Sequence, residues 1–410
     1  MVTATGWRGY EQGLERLHDA APAAGEPAGA QPFEPPVLPP PPHVLAAAAA
    51  VGRTPAVLWD LPGLAARVTA VRDLAAGYDI RLSAALKACS TRPVLDRLRD
   101  WGLSADAATV GEIDLAEQIG FDTITATGPG FRPADIARLL GDGVLFDAQS
   151  PTQLAAAADV PAENGLGMRV RVPLPDQLCS STSRGRVSRF GIDLDPALLE
   201  RARAAGVRRL RVHTGESTPE TLLFRARYAA LVAAQLEGVD ELNLGGGLLR
   251  LSRDPVAFKD ALSAVDQSLT EHRREHGVAL RSWVEPGAAL TLDCAYLVTE
   301  VLDTAGAQGE AVTVDASAWN LAPWAFPSFY LVGERPVPYA GRVYGPSLYE
   351  KDMFRQTTGA GPEPARPRPG NRLIATSFGA YTLVHGRRFG EIPLPRQYFV
   401  SDNGWEDDGV

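Results

Sequence analysis

Only three lysines, Lys87, Lys259 and Lys351, occur in this chain of 410 residues, and arginine carries nearly all the other positive charge. Arginine keeps its proton and cannot act as an amine nucleophile, whereas a desolvated lysine can. Lys87 lies in the apolar run RLSAALKA, residues 81–88, and is the candidate nucleophile. Lys259 falls on a polar-faced helical segment and Lys351 follows Glu350, so both read as solvated charges.

Three further features could serve such an amine. Gly245, Gly246 and Gly247 have no Cβ atoms to keep an anion away from successive backbone N–H groups, so they could cradle a phosphate or simply make a tight turn. Glu285, just before Pro286-Gly287, could hold a pyridine nitrogen protonated and turn the ring into an electron sink, or be a salt-bridged glutamate at a strand end. His213 could stack on a flat ring or sit hydrogen-bonded in a core. A lysine for an aldehyde, glycines for a phosphate, an acid for a ring nitrogen and a flat partner for the ring are the requirements of pyridoxal 5'-phosphate.

The elements that must position these residues alternate. From residue 81 to 290, short apolar runs exchange with amphipathic helical segments, the pattern of a parallel sheet with crossover helices. The strand candidates are 81–88, 103–108, 123–127, 144–148, 168–173, 210–214, 241–245 and 282–286, about eight, the closure number of a (β/α)8 barrel. Helix starts carry Pro93, Pro133, Pro151 and Pro255. In such a barrel the reactive groups collect at the C-terminal ends of strands, where Lys87, Asp106, His213, the three glycines and Glu285 all fall. Beyond 290 the runs AYLVTEVLDTA, AVTVDAS, GRVYGP, RLIATS and QYFVS are strand-like. The expected fold is thus α/β, a TIM-like barrel over 62–290 with a second, mostly β domain made of 44–61 and 291–410. Residues 1–43, rich in Ala, Gly and Pro, read as a mobile or draped extension that cannot form a regular element with its own core.

A net charge of −9 argues against a nucleic-acid partner and for a small molecule. Cys89, Cys179 and Cys294 lie far apart with no metal-ligand spacing, so neither a disulfide framework nor a metal site is expected. The short alanine tract at 44–51 has no basic flank and is far below spanning length, so a cytoplasmic protein without a membrane anchor is expected.

The chain also resembles the fold-type III pyridoxal-phosphate enzymes related to ornithine and diaminopimelate decarboxylases, from about Thr54 to about Val400. The resemblance is carried by Ala84-Ala85-Leu86-Lys87-Ala88, Ala105-Asp106 through Gly111-Glu112, and Ser188-Arg189-Phe190-Gly191. It continues in Val212-His213-Thr214-Gly215, Leu244-Gly245-Gly246-Gly247, Glu285-Pro286-Gly287, Val314-Asp315-Ala316, Gly345-Pro346 and Gly379-Ala380-Tyr381. It implies an amino-acid decarboxylase with Lys87 as the Schiff-base lysine, His213 stacked on the ring and Glu285 on the ring nitrogen. Gly245 to Gly247 with Tyr381 would surround the phosphate, and Asp106 and Glu112 resemble acids placed near the lysine.

The departures from that pattern shape the expected substrate. Ala288 stands where the family usually has an arginine for the phosphate, and Thr214-Gly215-Glu216 displaces a family serine that Ser217 could replace. In the family's Gly-Pro-x-Cys-Asp/Glu motif this chain reads Gly345-Pro346-Ser347-Leu348-Tyr349. Leu348 cannot donate the proton a cysteine would, and Tyr349 replaces the acid that would meet a distal amine. Tyr349, Lys87 or water is left to reprotonate the product, with Tyr349 preferred, unless its ring only packs at a subunit seam. The resemblance places this segment in the neighbouring subunit's site and so implies a homodimer with shared sites. Trp319, Trp324 and Phe326 either suggest a larger or less polar amino-acid substrate or are simply core, and the altered Gly345-Pro346 motif suggests a free or carrier-tethered substrate in a specialised biosynthetic pathway. A racemase on the same fold and a catalytically silent, protein-binding homologue are the competing readings.

Overall fold

Strands Ile80–Ala85, Ser104–Ala107, Ile124–Ala126, Leu145–Ala148, Leu166–Arg169, Val207–Arg211, Glu241–Asn243 and Arg281–Val284 pair in parallel and in sequence order, and the eighth closes onto the first. This computed structural model describes residues 4–21, 39–179, 188–306, 310–355, 365–402 and 404–407. In chain order the strand Ala56–Asp60 is β1 and the barrel strands are β2 to β9. They are short and buried on most positions because helices cover their outer face while side chains fill the interior. The barrel belongs to a unit made of residues 1–33, 70–87 and 95–289.

Local chemistry starts the crossover helices where the sequence puts its punctuation. Thr109, Ser150, Asp195, Thr218 and Asp254 each accept a first-turn amide with their side chains, an interaction of about 1 kcal/mol at each N-terminus. Pro151, Pro196, Pro219 and Pro255 follow directly as first helical residues, where the missing N–H costs nothing.

The N-terminal stretch departs from the irregular extension expected of it, because Ala4–Asp19 is a helix. Its Tyr10 and Gly13, three apart, face the helix Pro219–Ala233: the Tyr10 hydroxyl lies 3.3 Å from that of Tyr228, and Gly13 sits against Leu231. The His18 ring reaches the Pro173 carbonyl at 2.9 Å. Glycine and proline further along masked this apolar face in the composition of the whole stretch. Residues 22–38 of the expected extension lie outside the described residues.

Residues 34–69, 88–94 and 290–410 make the second unit. Its strands are β1 with β10 Ala295–Ala305, β11 Ala311–Val314, β12 Phe329–Leu331, β13 Val337–Tyr339, β14 Arg342–Tyr344, β15 Met353–Phe354, β16 Arg372–Ala375, β17 Arg396–Ser401 and β18 Gly404–Asp407. They run in the order β13-β12-β16-β10-β1-β17-β18, with β11, β14 and β15 continuing from β10. β1 is antiparallel to β10 and parallel to β17, so an early strand completes a late sheet. The helix Pro42–Ala50 lays Val44, Leu45 and Ala48 on Leu58, Tyr296 and Ile374 of that sheet. Among the described residues no helix is long and apolar enough to cross a membrane.

Candidate active site

β2 ends at Ala85, which pairs in register with Asp106 of β3. The chain then leaves the ladder in a tight helical turn, Leu86–Ala88, so Lys87 stands just beyond the strand rather than at its last position. The turn carries the Lys87 Nζ to 3.3 Å from Asp106 Oδ2. Asp106 is fully buried while Lys87 is partly exposed, so the amine is anchored from inside and open on its other side.

Asp106 also meets Arg211, the last residue of β7, at 2.9 Å through Oδ1. Thr125 Oγ1 donates to the same oxygen at 3.0 Å. Arg211 in turn reaches Glu285 Oε2 at 2.5 Å, immediately after β9. Lys87, Asp106, Arg211 and Glu285 therefore alternate in charge around the barrel mouth. Burial raises the proton affinity of Asp106, but Arg211 and Lys87 outweigh it and hold the carboxyl below its ordinary value. At Glu285 burial wins and the carboxyl lies above its ordinary value, even with Arg211 pulling it down. Arg211 itself loses to burial but gains more from Asp106 and Glu285, and its pKa is raised. Glu112, which accepts the Ala108 amide at 2.6 Å, is raised by burial against that hydrogen bond and the pull of Lys87.

His213 lies two residues past β7, which ends at Arg211, earlier than the sequence suggested, although the Val212 amide still donates to the Asn243 carbonyl at 2.8 Å. Burial first, then Arg169 and Arg225, drive its pKa well below the usual imidazole value, so the ring is neutral at physiological pH. Gly245 follows β8 at φ 71° and presses on the His213 ring: a Cβ there would lie 2.9 Å from Nδ1. A Cβ on Gly246 would meet the Glu285 carbonyl at 2.6 Å, and one on Gly247, at φ 77°, would strike the Gly215 carbonyl. The glycines thus allow three loops to close on one another. Their carbonyls all face the protein, accepting from the Glu285 amide, the Arg225 side chain and the Ser217 amide. The Gly245 amide donates to Asn243 Oδ1, which leaves the amides of Gly246 and Gly247 without a partner among the described residues.

These residues fit a phosphorylated pyridine aldehyde. Glu285 Oε1 is buried and has no hydrogen-bond partner among the described residues, as the seat of a ring N–H must be. A neutral His213 ring offers a flat face, with its Nδ1 also unpartnered. Two free amides and the Ser217 side chain lie on the glycine loops, and Lys87 stands at the rim.

Of the residues singled out in the sequence, Lys87, Asp106, His213, Ser217, Gly245 to Gly247 and Glu285 belong to the barrel unit. Tyr349 and Tyr381 belong to the second unit. There the Tyr381 amide donates to the carbonyl of Ala88, the neighbour of Lys87 in the chain, and Tyr381 holds a positive φ of 52°. Tyr349 packs its ring edge-on to Trp319 at 4.5 Å and also against Phe389. Arg211 and Arg225 escaped the sequence reading. Arg211 could have been found: Arg209 and Arg211 alternate in one strand, and a barrel strand points such positions inward together. Arg225 gave no comparable signal, since its helix also carries an arginine at 227.

Residues 64–292, more than half of the chain, match the model of the pyridoxal-dependent decarboxylase pyridoxal-binding domain. Diaminopimelate decarboxylase of Deinococcus radiodurans is 26% identical over 382 residues, covering 89% of this chain and 94% of that protein. The L-glutamyl-[BtrI acyl-carrier protein] decarboxylase of Niallia circulans is 25% identical over 341 residues, covering 74% of this chain and 78% of that one. In structure the chain is similar to diaminopimelate decarboxylase from Helicobacter pylori complexed with L-lysine, with a TM-score of 0.75, 19% identity and coverage of 88% and 95%. The chain belongs to the fold-type III pyridoxal-dependent decarboxylases and is a pyridoxal-phosphate-dependent amino-acid decarboxylase.

Proposed function

We propose that this enzyme decarboxylates an amino acid or amino-acid derivative that lacks the free distal amine of the diamine-forming substrates, in a specialised biosynthetic pathway. The observation that carries the choice of decarboxylation over racemisation is Glu285, a buried carboxylate with one oxygen on Arg211 and the other unpartnered. An acid at a ring nitrogen favours a fully developed carbanion, which loss of CO2 requires.

Bound pyridoxal phosphate supplies an aldehyde for the substrate amine and a ring that takes up the electron pair left by CO2. Lys87 is the amine that would hold the aldehyde, and Asp106 fixes its position. His213, neutral and buried, would support one ring face without adding charge. Glu285 would take the ring N–H, and Arg211 draws the proton affinity of that buried carboxyl down against the effect of burial. Gly246, Gly247 and Ser217 would take the phosphate.

Tyr349 is the proton donor we favour for the α-carbon, acting in the neighbouring subunit of a homodimer. Asp352 braces its loop, accepting Ser317 Oγ at 3.1 Å, the Trp319 amide at 2.8 Å and the Ser347 amide at 3.2 Å, while Leu348 is fully exposed. With Tyr349 in place of the family's acid, the segment suits a substrate whose far end is neutral or carrier-linked, and the relative from Niallia circulans is named for a glutamyl group on a carrier protein.

The test is the visible spectrum of the purified protein before and after borohydride, beside Lys87→Ala, followed by CO2 release from free and carrier-linked amino acids. A band that borohydride removes and the variant lacks, with CO2 from glutamyl-type substrates over ornithine, lysine or diaminopimelate, is the expected result. Preference for a diamine-forming substrate would overturn the substrate reading. Absence of the band with added cofactor would favour the silent homologue.

A further inference from the structure

Arg225, in the helix Pro219–Ala233, has no solvent-exposed surface. Arginine is costly to bury unless its charge is matched. Here it is not: Arg225 forms no ion pair with a carboxylate among the described residues, and Glu216 and Glu285 act on it only at longer range. Its Nε has no hydrogen-bond partner either. Loss of hydration pulls its pKa down to about 10, so it stays charged at neutral pH. A charged group kept in such a place calls for an anion in direct contact, which no carboxylate among the described residues supplies.

The two hydrogen bonds it makes show where that anion belongs. One guanidinium nitrogen donates to Ser217 Oγ. The other donates to the Gly246 carbonyl at 3.1 Å. A serine hydroxyl that accepts from Arg225 has its own proton left to give, and that proton points away from the donor. The Gly246 carbonyl and the Gly247 N–H are two ends of one peptide, so a cation on the oxygen polarises the amide and strengthens it as a donor. Both effects act on groups of the glycine loops. The Glu285-Pro286-Gly287 turn next to them ends in Ala288 and brings no cation of its own.

We propose that Arg225 is the positioning cation of the phosphate seat, turning the Ser217 hydroxyl and the Gly247 amide onto the cofactor phosphate and balancing its charge from behind. It touches the phosphate's donors and not the reacting atoms, so it acts on how the cofactor is held. Glu216 sets its strength. That carboxylate accepts the Arg250 amide at 2.7 Å and partly offsets the Arg225 charge.

This rests on the assignment of the cofactor site above, and the experiment separates the two. The apoprotein is titrated with pyridoxal phosphate and with pyridoxal, which lacks the phosphate, and the ratio of the two dissociation constants is the readout. Arg225→Met is expected to lower the preference for the phosphorylated form by about ten- to hundredfold, with Arg225→Lys in between. Glu216→Gln keeps an oxygen for the Arg250 amide and removes the opposing charge, so the preference is expected to rise about two- to fivefold. A purely structural Arg225 would weaken both ligands equally, and an unchanged ratio in folded Arg225→Met overturns the proposal. Should that variant not fold, an unchanged ratio in Glu216→Gln overturns it. Wild-type protein that binds neither ligand overturns the site assignment itself, and this proposal with it.

Discussion

The guanidinium of Arg211 and the carboxylate of Glu285 form an ion pair of 2.5 Å with both side chains almost wholly excluded from solvent. Arg211 holds Asp106 at 2.9 Å as well, so one cation serves two buried acids. Removing it strands two charges that cannot reach water.

Arg211→Met is therefore expected to destabilise the fold by about 3–5 kcal/mol at neutral pH, read from urea unfolding. The pH dependence follows from Asp106, whose carboxyl lies below its ordinary value of 3.8 because Arg211 and Lys87 outweigh the effect of burial. The unfolded chain then takes up this proton first. Its stabilisation is complete above that ordinary value and is lost as pH falls through the lower folded one. The stability gap between wild type and Asp106→Asn should accordingly be widest near pH 7 and narrow below pH about 4. A gap independent of pH would contradict the pairing.

His213 carries the opposite signature. Burial, reinforced by the neighbouring arginines, keeps it neutral to well below the ordinary imidazole value of 6.5. The unfolded chain binds a proton there as pH falls below 6.5 while the folded state does not, so His213 costs stability on acidification through that range. His213→Phe retains a flat ring and should flatten the slope of unfolding free energy between pH about 6.5 and 5 by up to one proton's worth. Retained cofactor binding in His213→Phe and its loss in His213→Ala would mark the ring face as the working part.

Gly247 and Gly102 both have positive φ, of 77° and 78°, but different surroundings. A Cβ at Gly102 meets nothing within 4 Å, whereas one at Gly247 strikes the Gly215 carbonyl. Gly102→Ala should cost about 1 kcal/mol from backbone strain alone. Gly247→Ala should cost more and should also abolish cofactor binding, because the glycine loops can no longer close. Equal costs with cofactor binding intact would remove the cradle.

Tyr349→Phe keeps the ring against Trp319 and Phe389 and deletes only the hydroxyl. As a general acid Tyr349 is worth about a hundredfold or more in kcat, with the cofactor spectrum unchanged. An unaltered kcat would assign Tyr349 to packing.

The sequence by itself determined the barrel, because strand and helix periodicities are local and each βα pair writes its own pattern of apolar runs, caps and prolines. It also determined the chemistry-bearing types, since a lysine retained among arginines, a triple glycine and a glutamate before Pro286-Gly287 are visible without contacts. Strand ends were less legible: β2 stops before Lys87 and β7 before His213, since a ladder ends where its neighbour turns away. The helix Ala4–Asp19 was obscured because its partner, Pro219–Ala233, lies two hundred residues on. Only tertiary structure decided the charge pattern around the site. Arg211 between Asp106 and Glu285, and Arg225 behind Ser217 and Gly246, join residues far apart in the chain. Burial and the pairing of charges across strands, which set their proton affinities, exist only once the barrel has closed.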